Sequence, residues 1–461
     1  MSKIVVKFGG SNLKEKHDIF RVAEIIKAYN QPLVVVVSAF YGVTNILTET
    51  LKKVLSDEEE ITHLLNYLSV IKNEVVTQCI ENEAEREVVW NKIAKRLKEL
   101  ERYLQGVNYI GEVPDFIEDI VLSYGERLSS LLLSEVLKNR GFNCEEVLAE
   151  ELGLQTDGEF GNATIDLEAS ATAVSERLAG NKIFIVPGFY GISPNGKVTL
   201  LGRGGSDYSA ASIACCINAP SLDVWKDVNG FMSADPKIVE NPFRISRLTY
   251  SEAAELAYFG AKILHPRTVE PLMDKSIPIR IFNINNTLLN FEPLTIVNCQ
   301  QEIRDGVIKS VTYNDDFAVL KLKGPGIGIK SGIVAKVSSA LDNEGINIKS
   351  IITSQIAINL MLSSKDLAKA YKLTENLSLT AVRQLEAINS VSVIAVVGEG
   401  LLEKHGIAAR IFGAVARRKI NVEITSLGAS QVVAYFVVQK EDRTAAVEEI
   451  HKEFFSTSEI F

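Results

Sequence analysis

The sequence predicts an α/β protein: a three-layer αβα sandwich around a mainly parallel sheet, followed by two smaller α+β modules of the ferredoxin-like kind. Three observations carry this. Up to about residue 295 the strand candidates are short, continuous runs of Val, Ile and Leu, as in a parallel sheet covered on both faces. Helical patterns separate them, giving β/α alternation. After about residue 300 a weak repeat appears at an offset of 74 residues (406 − 332).

In order, the strands are expected at Ile4–Phe8, Leu33–Ser38, Ile183–Pro187, Leu222–Lys226 and Ile279–Ile284. Helices are expected at His17–Tyr29, Asp115–Arg140, Tyr208–Ile217 and Tyr250–Phe259. Residues 56–107 carry a long helical pattern without strand signal, read as a two-helix insertion; an irregular coiled-coil surface is the alternative. In the repeat, Gly332-Ile-Val-Ala-Lys-Val returns as Gly406-Ile-Ala-Ala-Arg-Ile, and Ile346-Asn-Ile as Ile420-Asn-Val. Ser354-Gln355 returns as Ser430-Gln431 with a two-residue slip. Each copy reads strand, helix, strand, strand, helix. The expected domains are 1–295, 296–388 and 389–461, with 303–312 pairing into the last.

At 461 residues the chain exceeds one core, so several domains are expected. Its net charge of 49 − 58 = −9 argues against nucleic acid or an anionic membrane as partner. No apolar run has membrane-spanning length, and Met1-Ser2-Lys3-Ile4-Val5 enters a strand without a signal-peptide core. The five cysteines, Cys79, Cys144, Cys215, Cys216 and Cys299, have no metal-ligand spacing. The expectation is a cytoplasmic protein without structural disulfides or zinc.

The densest chemistry lies in Gly202-Arg203-Gly204-Gly205-Ser206-Asp207. Three glycines let backbone approach a ligand, and a following helix would favour an anion at its N-terminus. A tight strand-to-helix turn is the plainer alternative. Lys7-Phe8-Gly9-Gly10-Ser11 ends the first strand, at the edge where parallel sheets bind ligands. The lysine precedes its glycines, so this is not a P-loop; a solvated lysine before a turn is the alternative. Ser38 and Thr44 follow the second strand and would suit a small anion or serve as helix caps. Glu126, after Gly125, would be costly if buried unless an amino group paired it; beside Arg127 it could equally be a surface residue. Lys226, Asp227, Phe231, Lys237 and Lys262 offer charges and an aromatic near a strand end, suited to a nucleotide, although Asn229-Gly230 alone would mark a turn. His265 receives no role.

Taken together, Lys7-Phe8-Gly9-Gly10-Ser11, Gly125-Glu126, the run 202–207 and Phe259-Gly-Ala-Lys-Ile-Leu-His-Pro266 resemble aspartate kinase, in that family's order along nearly the whole chain. The C-terminal repeat looks like its tandem ACT domains, and the length suits the form without a fused homoserine dehydrogenase. The resemblance implies the amino-acid kinase fold and transfer of the ATP γ-phosphoryl to the β-carboxylate of L-aspartate, giving 4-phospho-L-aspartate, with Mg2+ carried by the nucleotide phosphates. It assigns Lys7 and Asp207 to catalysis. Ser38, Thr44, Glu126, Arg203 and Ser206 fall to aspartate, and Lys7, Gly9, Gly10, Ser11, Lys226, Asp227, Phe231, Lys237 and Lys262 to the nucleotide. Ser331, Ile333, Asn347, Ile348, Lys349, Ser354 and Gln355 would line an effector site for a feedback amino acid, lysine or threonine, at a homodimer interface, with a tetramer as the larger alternative.

Four positions depart from the family pattern. Asn12 replaces a hydroxyl residue, Phe231 stands where many members have Tyr, Lys226 where some members have Thr and others Lys, and Lys349 where lysine-inhibited relatives can carry an acid. A kinase acting on glutamate and a catalytically silent amino-acid sensor are the competing interpretations.

Overall fold

The computed structural model describes residues 3–14, 16–286, 291–300 and 307–455. They form two units: one of residues up to Phe231 with Arg244–Ala254 and Lys262–Gln300, the other of Met232–Phe243, Glu255–Ala261 and the remainder. Among the described residues no helix is long and apolar enough to cross a membrane.

The first unit runs β1 (Ile4–Phe8), α1 (Lys16–Tyr29), β2 (Leu33–Val37), α2 (Val43–Lys53), α3 (Glu59–Cys79), α4 (Glu83–Ile110), α5 (Asp115–Asn139), β3 (Cys144–Glu146), α6 (Ala149–Leu152) and α7 (Leu167–Arg177). It continues with β4 (Ile183–Pro187), β5 (Tyr190–Ile192), β6 (Val198–Leu200), α8 (Gly205–Cys216), β7 (Leu222–Lys226), β8 (Arg247–Thr249), α9 (Tyr250–Tyr258), α10 (Pro266–Met273), β9 (Ile279–Asn283) and β10 (Thr295–Asn298). Helix α9 crosses the division between the units.

An eight-stranded sheet in the order β3-β4-β2-β1-β7-β9-β10-β8 holds this unit together. It is parallel from β3 to β9, and β10 pairs antiparallel with β9. Every residue of β2 is buried, which is why the strand reads as unbroken Leu and Val. The register sets Lys7 beside Val36 and Val224. The carboxyl ends of β4, β2, β1 and β7 therefore lie side by side, and the loops after them leave along one edge. The insertion is α3 and α4, whose buried stripes include Leu64 and Leu68 in one and Ile93, Leu97 and Leu100 in the other.

The second unit holds β11 (Ser310–Asn314), β12 (Ala318–Lys323), α11 (Ile333–Asp342), β13 (Ile348–Thr353), β14 (Ala357–Leu362), α12 (Leu367–Asn376), β15 (Gln384–Ile388), β16 (Val391–Val397), α13 (Ile407–Arg417), β17 (Ile424–Leu427), β18 (Val433–Gln439) and α14 (Arg443–Phe455). They build two four-stranded sheets, β13-β14-β12-β15 and β11-β16-β18-β17. The second sheet takes its first strand from ahead of the other module, with Ser310 opposite Val397 and Asn314 opposite Val393. Residues 303–306, expected in that pairing, lie outside the described residues. The repeat is visible in the backbone: Gly332 and Gly406 cap α11 and α13 at φ 80° and 83°.

Candidate functional site

The loops after β1, β2 and β4 and the run 202–207 enclose a cavity of about 420 Å3 at the carboxyl edge of the sheet. Its wall includes Lys7, Gly10, Ser11, Ser38, Thr44, Glu126, Arg203, Ser206 and Asp207, so the residues singled out along 200 positions of sequence share one space. Gly9, Lys226, Asp227, Phe231, Lys237 and Lys262 are not on that wall; Lys237 and Lys262 are exposed, and Lys237 belongs to the second unit.

Helix α8 begins at Gly205, three residues before its expected start. Gly204 is the N-cap at φ 76°, and a Cβ there would stand 2.4 Å from the His265 ring, so both conformation and space demand glycine. Ser206 and Asp207 thereby enter the first helical turn, where the macrodipole favours a carboxylate. Arg203 stays exposed on the cavity wall. At the neighbouring strand end Gly10 packs so closely that a Cβ would meet the Ala39 carbonyl oxygen at 2.6 Å.

Asp207 joins two strand ends. One oxygen lies 2.5 Å from Lys7 Nζ, the other 3.2 Å from Lys226 Nζ. Burial pushes its pKa up, but the ammoniums of Lys226 and Lys7 outweigh that and hold the carboxyl below the usual range. Lys7 is itself lowered by burial, with Asp207 opposing. Lys226 also donates to the Ile263 carbonyl.

Glu126, on α5, is 3% exposed. One oxygen accepts a 3.2 Å hydrogen bond from Ser206 Oγ; the other is buried without a hydrogen-bond partner. Burial pushes this carboxyl up to about 7, against the Ala39 N–H, the Ser206 hydroxyl and Lys7. A buried carboxylate oxygen that lacks a donor and faces a cavity is suited to a ligand that brings one.

Around β7, Asn12 Nδ2 donates to the Trp225 carbonyl at 2.7 Å, and Ser11 Oγ donates to Asp227 at 3.2 Å. Asn12 thus ties the first turn to β7 from inside, a structural use for the residue that departs from the family pattern. The expectation for Phe231 needs correction. The residue is 1% exposed, so its ring offers no face for a base to stack on.

Phe40 and Phe189 are among the wall residues not picked from sequence, and Phe189 has φ 77°, a conformation a non-glycine residue holds only where its surroundings impose it. Their shared signal is position: each follows closely on a parallel strand's carboxyl end.

In the second unit the effector residues divide. Ile333 is 4% exposed and packs in the module core, so its side chain cannot meet a ligand; this corrects its assignment. Ile348 packs against the same core. Ser331, Asn347, Ser354 and Gln355 are exposed. Lys349 Nζ lies 3.2 Å from Asp316 and 4.2 Å from the Phe317 ring centroid. A cavity of about 550 Å3 on this module includes Ser354 but is otherwise lined by residues outside the expected set, among them Lys321, Lys323 and Arg383.

Residues 2–283 match the amino acid kinase family, and residues 312–374 and 394–454 each match an ACT domain. Aspartokinase 1, chloroplastic, of Arabidopsis thaliana is 31% identical over 99% of this chain and 81% of its own length. A bifunctional aspartokinase/homoserine dehydrogenase of Buchnera aphidicola is 29% identical over 98% of this chain, which spans 56% of that relative. The solved structure of Escherichia coli aspartokinase III with aspartate and ADP (R-state) superposes with a TM-score of 0.84 at 26% identity, covering 98% of this chain and all of that one. The same enzyme with lysine and aspartate (T-state) gives 0.80, with the same identity and coverage.

Proposed function

The chain belongs to the aspartokinase branch of the amino acid kinase family, and on that footing we propose that it transfers the γ-phosphoryl group of ATP to the β-carboxylate of L-aspartate. The product, 4-phospho-L-aspartate, would open the aspartate-derived route to lysine, threonine and methionine, in the cytoplasm. One observation supports the acceptor above all: the cavity sets an exposed guanidinium, Arg203, and a donor-seeking carboxylate, Glu126, on the same wall as the Lys7–Asp207 ion pair, to which Lys226 is joined from behind the wall. An amino acid with a second carboxylate complements all three.

In this reading Arg203 clamps the α-carboxylate, where a planar fork outperforms an ammonium. Glu126, oriented by Ser206, takes the α-ammonium, and Ser38 and Thr44 hold the β-carboxylate. That carboxylate is already an anionic nucleophile, so no general base is required. Its oxygen forms the bond to the γ-phosphorus while the bond from phosphorus to the ADP oxygen breaks. Lys7 neutralises charge on the transferring group, and the amides of Gly9, Gly10 and Ser11 hold phosphate oxygens. Asp207 keeps the heads of Lys7 and Lys226 in place. Lys226, Asp227 and Lys262 serve the nucleotide, with Lys237 a further candidate.

Mg2+ enters with the nucleotide. Asp207 has an oxygen on each of two ammoniums, which suits it to holding lysines rather than a metal. Regulation is assigned to the ACT modules, through a feedback amino acid, lysine or threonine, in a homodimer. If Lys349 lines the effector site, its ammonium, held by Asp316, is a poor match for an effector ammonium, which weakens a straight assignment to lysine inhibition.

Aspartate-dependent release of ADP, with glutamate as the rival acceptor, tests the activity. Arg203→Ala is expected to raise the aspartate KM at least tenfold, about 1.4 kcal/mol, with little change for ATP. Preference for glutamate would move the assignment to another amino acid kinase. Absence of turnover would leave an amino-acid sensor.

A further inference from the structure

Arg203 is exposed, and among the described residues its guanidinium has no hydrogen-bond or ion-pair partner. Its aim into the cavity therefore depends on the backbone that carries it. Gly202 and Gly204 flank it at φ 70° and 76°. Glycine on both sides leaves such a turn loose unless neighbours hold it.

The segment His265-Pro266-Arg267, where α10 begins, holds the turn at both ends. On one side the His265 ring stands against Gly204, where a Cβ would meet it at 2.4 Å. On the other, Arg267 Nη1 donates to the Leu201 carbonyl at 2.8 Å and to Asn162 Oδ1 at 3.1 Å. Its Nη2 donates to the Ala163 carbonyl at 2.7 Å and to Thr164 Oγ1 at 3.4 Å. The guanidinium lies over the Tyr208 ring of α8, 4.5 Å from the centroid. Gly202 rests on the segment that Arg267 grips, since a Cβ on it would stand 2.9 Å from Asn162 Oδ1. That segment is itself anchored: Asp119, on the same helix as Glu126, accepts from the Gly161 N–H at 2.9 Å and the Leu200 N–H at 2.7 Å.

Helix chemistry does not account for an arginine here. Arg267 sits in the first turn of α10, where the macrodipole disfavours a cation. All four of its acceptors are neutral, so no counter-carboxylate accounts for it either. What the geometry uses is the planar fork, which reaches two backbone carbonyls at once as an ammonium cannot. Resting on the assignment of Arg203 to aspartate, we propose that Arg267 is a positioning residue for the α-carboxylate site: by tying Leu201 to residues 162–164, it fixes the turn that aims Arg203. Arg267 itself is not on the cavity wall.

The test is a double-mutant cycle in the full chain: wild type, Arg267→Lys, Arg203→Ala and the double variant, compared by kcat/KM for aspartate. This ratio is read without saturation, so weakened variants remain comparable. Arg267→Lys is expected to lower it about tenfold through KM, with kcat and the ATP KM within about twofold of wild type. In the Arg203→Ala background the same change should add no further loss, because the group it aims is gone. Should Arg267→Lys not fold, Asn162→Ala removes one of the four acceptors and carries the same comparison with a smaller loss. An unchanged aspartate KM, an equal fold-loss with and without Arg203, or equal rises in both KM values would overturn the proposal and leave Arg267 a purely structural residue. If Arg203→Ala alone left the aspartate KM unchanged, the assignment of Arg203 would fail first, and this inference with it.

Discussion

Replacing Asp207 by Asn keeps the shape of the side chain and removes the charge between Lys7 and Lys226. At an effective dielectric near 20, contacts of 2.5 and 3.2 Å correspond to about 7 and about 5 kcal/mol of attraction. Most of this is offset by the desolvation of two buried charges, Lys7 and Asp207, and a third, Lys226, that is partly buried. What remains is the penalty for leaving two ammoniums facing each other without a counterion, about 3–5 kcal/mol when one member of a buried cluster is lost. Part of that penalty is relieved if Lys7 sheds its proton. Its pKa is already lowered by burial and is raised again chiefly by Asp207, so the variant lets it fall further. Asp207→Asn should therefore lower the thermal midpoint. On the role proposed for Lys7, it should also make kcat fall with rising pH at a lower pH than in wild type, because the lysine would lose the proton that would meet the phosphate. Differential scanning calorimetry and the pH dependence of ADP release measure the two effects. A variant with the wild-type midpoint and a parallel pH profile would refute the account of Asp207 as the counterion that sets both lysines.

Two further outcomes follow from the same geometry. Glu126 is raised from 4.5 to about 7 in the folded state, so the folded protein holds a proton the unfolded chain releases, and stability is lost as pH rises between those values. Glu126→Gln should accordingly stabilise the unliganded protein above neutrality by up to about 3 kcal/mol, with no gain in acid, while abolishing aspartate affinity; calorimetric melts with and without aspartate check both signs. Gly204→Ala puts a Cβ 2.4 Å from the His265 ring in a left-handed conformation, so the turn must shift and carry Arg203 with it. The expected result is an aspartate KM raised tenfold or more with a smaller change in the ATP KM, read from initial rates.

The parallel sheet was legible because strands such as Leu33–Val37 are buried on both faces and have no polar alternation to obscure them. The cavity was legible because glycine, charge and hydroxyl residues cluster where parallel strands end. The start of α8 was misplaced because glycines read as loop, whereas Gly204 caps the helix and Gly205 begins it. Phe231 and Ile333 were misjudged for a related reason. Both stand beside polar, glycine-marked segments, yet local chain direction turns their side chains into a core. Lys72, buried within α3, was invisible because one lysine in a charged helical insertion reads as a solvated residue. Only the apolar residues three and four positions away mark it as buried.

The strand β11 has a practical consequence for dissecting or recombining the regulatory half. Because it lies ahead of the first module in sequence but zips onto β16, no single cut separates the two modules cleanly. A fragment that starts at Val391 would leave the backbone groups of 393–397 bare along one side, a template for pairing with another chain. A chimaera that imports a foreign first module has to be spliced at both of its ends, between β11 and β12 and again between β15 and β16. The first module is thus an insert within the second, and shuffling of such sensors between enzymes is constrained to exchanges that respect both seams.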